Sequence, residues 1–340
     1  MVNKKKYKKY CNENYLRFNL DDDRTWQLII KDFGEERASK LHQLFVDKDN
    51  SPKNGNPYYF CENFRESSCL MYFQSDFFYE NSIKLLETVE SLKPRETLEL
   101  GCYNGILLNY LAELYAGEKF VGIDVEEKIV GFANERFKRD NLDFITLDYK
   151  DISKLNNKFD FIFSLLGIET IPNGIKFDTY KIRNNKNYLA KYKYFDNFFR
   201  LLKPVVEDNT NFLPLIRIAE LNSLLAFLDA GKKNNWSLKD NKIDFVKSGN
   251  IHRMNEKIPS FLLQYNSEGN ADEEIDLDNF FEITKEYRDE DNLRDVYSYQ
   301  ENKSKFTDKI KEDSIYYEDD GNTMRYEIYK NLGIYMMFLW

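Results

Sequence analysis

The residues best placed to do chemistry lie in one short stretch, Thr97-Leu98-Glu99-Leu100-Gly101-Cys102-Tyr103-Asn104-Gly105. A hydrophobic run ends in a turn with two glycines four positions apart, and a carboxylate, Glu99, stands at its mouth. A dinucleotide site needs G-x-G-x-x-G, so that a pyrophosphate can rest on bare backbone amides at a helix N-terminus. Here the spacing is Gly101-x-x-x-Gly105, the third glycine is absent, and Glu99 would repel a phosphate. The turn opposes NAD and FAD. It suits a ligand with no phosphate and with positive charge.

Other chemical groups are sparse. There are two histidines: His42 falls in a predicted helix beside Leu41 and Leu44, and His252 in the loop "SGNIHRMNE". Glu169 and Glu220 follow two predicted strands, where a carboxylate could orient an acceptor. Glu169, Glu220 and His252 are the catalytic candidates. Four cysteines, Cys11, Cys61, Cys69 and Cys102, show no CxxC spacing. That argues against a zinc site or a disulfide framework, so no metal is expected and a reducing cytoplasm is the default.

The elements that must hold these groups alternate. "ETLEL", "KFVGID", "LDFITLD" and "FDFIFSLL" read as strands, with helices at "GILLNYLAELY" and "EEKIVGFANERFKRD" between the first three. Alternation at this spacing means βαβ units and a parallel sheet whose ligand crevice lies at the carboxyl ends of the strands. "FLPLIRIAE" reads as a fifth strand, and "KIDFVKSG" and "IPSFLLQYN" as a closing hairpin. The fold class is α/β, a Rossmann-like doubly wound, mostly parallel seven-stranded sheet with an antiparallel last strand.

The division expected is a helical N-terminal cap over 1-84, a ligand-binding domain over 85-267, and an acidic linker with a C-terminal β-meander over 268-340. Residues 173-210, rich in Lys, Asn and Tyr, read as a lid-like insertion after the fourth strand. In the cap, "DDRTWQLIIKDFGEERASKLHQLFVD" reads as one helix, and "KKKYKKY" at 4 to 10 as a solvated tail. The meander is expected to pack on the main domain, because so small a sheet needs a surface beneath it.

S-adenosylmethionine carries a sulfonium and an α-ammonium and no phosphate, which is the ligand chemistry the turn asks for. At this point the chain resembles the class I S-adenosylmethionine-dependent methyltransferases. The resemblance covers about 85 to 265 and rests on "LELGCYNG", "FVGIDVEE", "ITLDYKDI" and "FDFIFSLLGIE", in the family's order. It implies S-adenosyl-L-methionine as cofactor. Glu99, Gly101, Cys102, Tyr103 and Gly105 would then face the methionine portion, and Asp124 both ribose hydroxyls. Val125 would lie on the adenine, with Asp148 and Tyr149 at its edge, and Ser164 and Leu165 would floor the methyl end. Tyr103 departs from the pattern, since many members have glycine there; it would narrow the turn or point toward substrate.

The remaining features set limits. A net charge of −9 argues against nucleic acid as partner. The position after the fourth strand reads "SLLGIET", not the D/N-P-P-Y/F element that exocyclic base-amine enzymes share, and no cysteine follows Cys102 to serve as a cytosine C5 nucleophile. Aminopropyl transfer wants an acidic motif that "SLLGIET" does not supply. The longest apolar region is broken by Arg217, Glu220 and Asp229, so no membrane span is expected. The resulting expectation is methyl transfer to an O or N atom of a small-molecule, glycan or peptide acceptor. The competing reading is a non-catalytic S-adenosylmethionine-binding or scaffold protein. A homodimer is left open.

Overall fold

The computed structural model describes residues 2–46, 57–165, 167, 186–216, 221–247, 257–269, 275–284, 313–319, 322–329 and 334–339. Five helices come first: α1 Lys4–Glu13, α2 Asp22–Phe33, α3 Glu35–Val46, α4 Phe64–Leu70 and α5 Ser75–Leu92. "KKKYKKY" is not a solvated tail. Tyr7, Tyr10 and Cys11 repeat at helical spacing and are buried, and the lysines take the outer face. The Tyr7 ring sits 5.8 Å from Tyr79 and 4.8 Å from Tyr110. Tyr10 Oη donates to Ile106 O at 3.0 Å and accepts from Asn109 Nδ2 at 2.6 Å. The segment read as one helix is two, because Gly34 at φ +79° breaks it between α2 and α3. Arg37 of α3 ties the cap together, donating to Glu66 Oε2 of α4 at 2.6 Å and to Phe60 O.

The alternating region follows: β1 Glu96–Leu100, α6 Ile106–Leu114, β2 Lys119–Asp124, α7 Glu127–Arg136, β3 Leu142–Thr146, β4 Phe159–Leu165, α8 Lys186–Leu202, β5 Val206–Leu215, α9 Leu221–Lys233 and β6 Trp236–Leu238. Then come β7 Asp244–Lys247, β8 Lys257–Ser260, β9 Leu263–Tyr265 and α10 Leu277–Ile283. Seven strands form one sheet in the order β3-β2-β1-β4-β5-β9-β6. The first five run parallel, and β9 is antiparallel to both β5 and β6. This is the Rossmann-like sheet with its antiparallel last strand.

Both faces of the sheet are covered, so its central strands read as near-continuous hydrophobic runs. Phe120, Phe161 and Phe163 pack under the N-terminal helices and α6. Leu98, Ile123 and Ile162 point the other way, toward α8 and α9, where Phe195, Phe199, Phe227 and Trp236 are buried. Each such side chain removed from water contributes about 1.5–3 kcal/mol.

Two expectations change here. Residues 186–210 do not belong to an insertion: α8 is the crossover helix between β4 and β5, and β5 begins at Val206. Tyr188, Phe195, Phe198, Phe199 and Leu202 are its buried stripe. The first part of the expected lid, 173–185, lies outside the described residues. The hairpin of β7 and β8 exists, but it forms a separate two-stranded sheet. The strands that close the main sheet are β6 and β9.

The C-terminal strands β10 Asp313–Asp319, β11 Asn322–Tyr329 and β12 Ile334–Leu339 form an antiparallel meander in that order. Among the described residues no helix is long and apolar enough to cross a membrane.

Candidate functional site

A cavity of about 620 Å³ opens at the carboxyl ends of β1 to β4. This is within the roughly 300–1,000 Å³ of small-molecule sites. The strand order places its parts. Asp124 ends β2, paired with Thr146 of β3, and Asp148 follows β3. Glu99 is the penultimate residue of β1, opposite Gly122 of β2 and Phe163 of β4.

The glycine turn is held from within. The amides of Gly101 and Cys102 both donate to Ile123 O, at 2.8 and 3.0 Å. Tyr103 N donates to Asp124 Oδ2 at 2.9 Å, and Gly105 N to Cys102 O at 2.9 Å. A phosphate cradle keeps such amides free for its anion; this turn uses four of its own. Gly101 has φ +77°, and a Cβ on it would lie 2.3 Å from Gly167 Cα. The chain leaving β4 thus presses its backbone against the turn, with a Cβ on Gly167 falling 2.1 Å from Leu100 O. Gly167 was missed from sequence; its signal was a glycine just past β4.

Glu99 is 3% exposed, lines the cavity, and its Oε2 has no hydrogen-bond partner among the described residues. Burial pushes its carboxyl well above the ordinary 4.5, and the neighbouring negative charge of Asp124 adds to the rise. A raised carboxyl favours the folded state when protonated. That stability is fully present below the ordinary value and is lost as pH rises through the folded one. Glu99→Gln cannot ionise. The variant is therefore expected to lose less stability than the wild type as pH is raised from 4.5, the ordinary value, in ligand-free thermal unfolding. Parallel curves for the two proteins would show that the fold does not raise the Glu99 carboxyl.

Asp124 is only part-buried. Besides Tyr103 N it accepts from Glu126 N, on Oδ1 at 3.1 Å, so each carboxylate oxygen keeps a further lone pair. Val125 is 57% exposed at the cavity lip, an apolar face with nothing over it among the described residues. Asp148 accepts from Lys150 N at 2.9 Å and opens the 3-10 turn that carries Tyr149. The Tyr149 ring packs 5.8 Å from Phe198, and its hydroxyl is 3.3 Å from that of Tyr194.

Tyr103 lines the cavity and turns toward the N-terminal cap. Its Oη donates to Ser67 O of α4 at 2.9 Å, and its ring lies 5.2 Å from Tyr58. Asn104 Nδ2 donates to Ser67 Oγ and Ser68 Oγ at 3.1 and 3.2 Å. The turn is stapled to the N-terminal cap, and these bonds offset the left-handed φ of +50° at Tyr103.

Cys102 and Leu165 also line the cavity. Burial raises the Cys102 thiol well above its ordinary value, which fits a packed side chain. Gly105 and Ser164 sit behind the cavity wall. A Cβ on Gly105 would meet the Phe144 ring at 2.3 Å, and Ser164 Oγ donates to Leu100 O at 2.9 Å, so both shape the turn from beneath. The three catalytic candidates, Glu169, Glu220 and His252, lie outside the described residues. His42 packs edge-on against Trp26 at 4.6 Å, in the cap. Among the described residues no cluster of three His, Cys, Asp or Glu could hold a metal.

A family model described as a methyltransferase domain matches residues 97–204, from β1 to the end of α8. Over these residues the chain is similar to a methyltransferase domain. The 235L protein of Invertebrate iridescent virus 6, which carries a methyltransferase name, is 27% identical over 99 residues, 29% of this chain and 36% of the relative. Malonyl-[acyl-carrier protein] O-methyltransferase of Acetivibrio thermocellus is 26% identical over 84 residues, 25% of this chain and 29% of that enzyme. The chain thus spans about a third of the length of these curated relatives. The N-methyltransferase NodS of Bradyrhizobium japonicum, solved with S-adenosyl-L-homocysteine, superposes at a TM-score of 0.40 with 13% identity, over 67% of this chain and 99% of NodS. The methyltransferase domain matched by sequence contains every cavity residue carried by β1 to β4 and α8.

Proposed function

We propose that the chain is an S-adenosylmethionine-dependent methyltransferase that acts on an O or N atom of a small-molecule, glycan or peptide acceptor. The observation that carries this reading is Glu99: a buried carboxylate whose Oε2 has no partner among the described residues, in a cavity whose glycine turn has used its amides internally. Such a group calls for a cation and against a phosphate.

The residues fit the cofactor. Glu99 would oppose its positive charge, and Gly101, with no side chain, lets its methionine portion approach. The free lone pairs of Asp124 would accept from the two ribose hydroxyls. Val125 offers an apolar face to the adenine, and Asp148 with Tyr149 its polar edge. When bound, the cofactor supplies a methyl group already activated on a sulfonium. The protein's contribution is then positioning and exclusion of water. Four free, buried cysteines support a reducing compartment such as the cytoplasm as part of the same reading.

Calorimetry tests it. S-adenosylmethionine and S-adenosylhomocysteine are expected to bind saturably to the full chain, and NAD to give no heat of binding. Saturable NAD binding with no response to either adenosyl compound overturns the reading. A screen of labelled S-adenosylmethionine against metabolites and peptides then separates a methyltransferase from a binding protein that performs no transfer.

A further inference from the structure

The cavity has more wall than the cofactor reading uses. Its lower half belongs to the strand ends already described. Beyond these, α6 and α8 each contribute, and the N-terminal cap supplies Tyr58, Leu70 at the end of α4, Met71 and Gln74 of a short 3-10 turn, and Phe78 of α5. We propose that this cap wall is the acceptor site, and that the acceptor is a neutral, largely apolar or aromatic small molecule oriented by the Gln74 side-chain amide. The proposal rests on the cofactor reading and adds the class of substrate to it.

Position comes first. Asp124 and Asp148 mark the β2–β3 half, and Glu99, Gly101, Leu165 and Gly167 the β1–β4 half. α5 packs against β4, and Phe78 of α5 lines the same cavity as Glu99. The bonds from Tyr103 and Asn104 to Ser67 and Ser68 fix α4 against the glycine turn, two residues before Leu70. The wall is therefore registered to the cofactor turn by hydrogen bonds.

Charge comes second. Among the described residues the cavity's charged lining is Glu99, Asp124, Glu126, Asp148 and Lys150, and none of these is from the cap. Four of these five are carboxylates, which disfavours an anionic acceptor. The cap's own charges near α4 are committed elsewhere: Arg37 to Glu62 and Glu66, and Arg65 to Asp32. Leu70 and Phe78 are buried, Met71 is half-buried, and the exposed Gln74 amide has no hydrogen-bond partner among the described residues. An apolar wall with one adaptable polar group is how small-molecule sites fix a neutral ligand. Met71 adds a soft side chain that packs well against aromatic rings.

Three probes share one ring and differ in charge: indole, indole-3-acetate and tryptamine. With the full chain saturated in S-adenosylhomocysteine, calorimetry is expected to show indole binding at least about tenfold more tightly than either charged probe, the cost of placing a charge on an apolar wall. The ¹³C-methyl resonance of Met71, assigned by its loss in Met71→Leu, is expected to shift on adding indole. Met71→Glu is expected to weaken indole at least about tenfold and to leave S-adenosylhomocysteine affinity within about threefold. Equal or tighter binding of indole-3-acetate or tryptamine overturns the proposal. So does displacement of indole by S-adenosylhomocysteine, which would put the probe in the cofactor half. If S-adenosylhomocysteine itself does not bind, the cofactor reading fails, and the Met71 shift with indole still reports on the wall.

Discussion

Gly101→Val is expected to abolish S-adenosylmethionine binding and to lower stability by at least about 3 kcal/mol. Two costs combine. A β-branched residue at φ +77° is strained by about 1–3 kcal/mol. Its Cβ would also stand 2.3 Å from Gly167 Cα, and a backbone atom cannot rotate away as a flexible side chain can. The strand ends must part, and with them goes the floor beneath Glu99. Urea unfolding measures the first effect and calorimetry the second. A variant with wild-type stability would mean that β1 and the segment after β4 are not in contact at this point.

Asp124→Ala is expected to weaken S-adenosylhomocysteine binding by at least about a hundredfold. A hydrogen bond to a charged acceptor is worth about 1.5–3 kcal/mol, and two ribose hydroxyls lose theirs together. The same change frees the Tyr103 and Glu126 amides, which both rest on this carboxylate. Asp124→Asn keeps acceptors for part of this set and is expected to fall between the two. An unchanged dissociation constant in a folded Asp124→Ala protein would show that the ribose is held elsewhere.

Much of the site was legible because it is local. "LELGCYNG" and "KFVGID" place a carboxylate, a turn and a second carboxylate between Leu98 and Asp124, and short βα units fold such stretches where they stand. β1 and β2 match the reading residue for residue, at Glu96–Leu100 and Lys119–Asp124. What was not legible was hidden by composition or by distance. In α1 the lysines of "KKKYKKY" masked the spacing of Tyr7, Tyr10 and Cys11. In α8 the lysines and asparagines masked a buried stripe of Tyr188, Phe195, Phe198 and Phe199, and a core helix read as a lid. β5 begins with Val206-Glu207-Asp208-Asn209-Thr210, mostly exposed and polar, so only its buried second half read as a strand. Tyr103 could be noted as a departure, but its partner, the Ser67 carbonyl, lies 36 residues away and leaves no local trace.

The central claim is that Glu99 holds a cation, and its protonation gives the direct test. A carboxyl raised by burial must lose its proton to do so, and ligand binding then releases that proton. Calorimetric titration of the full chain with S-adenosylmethionine, from about pH 5 to about pH 8, is expected to show affinity rising with pH. In Glu99→Gln the affinity is expected to be weaker and the rise absent. Equal affinity at every pH, with Glu99→Gln binding as tightly as the wild type, would contradict the assignment of Glu99 to the cofactor's positive charge.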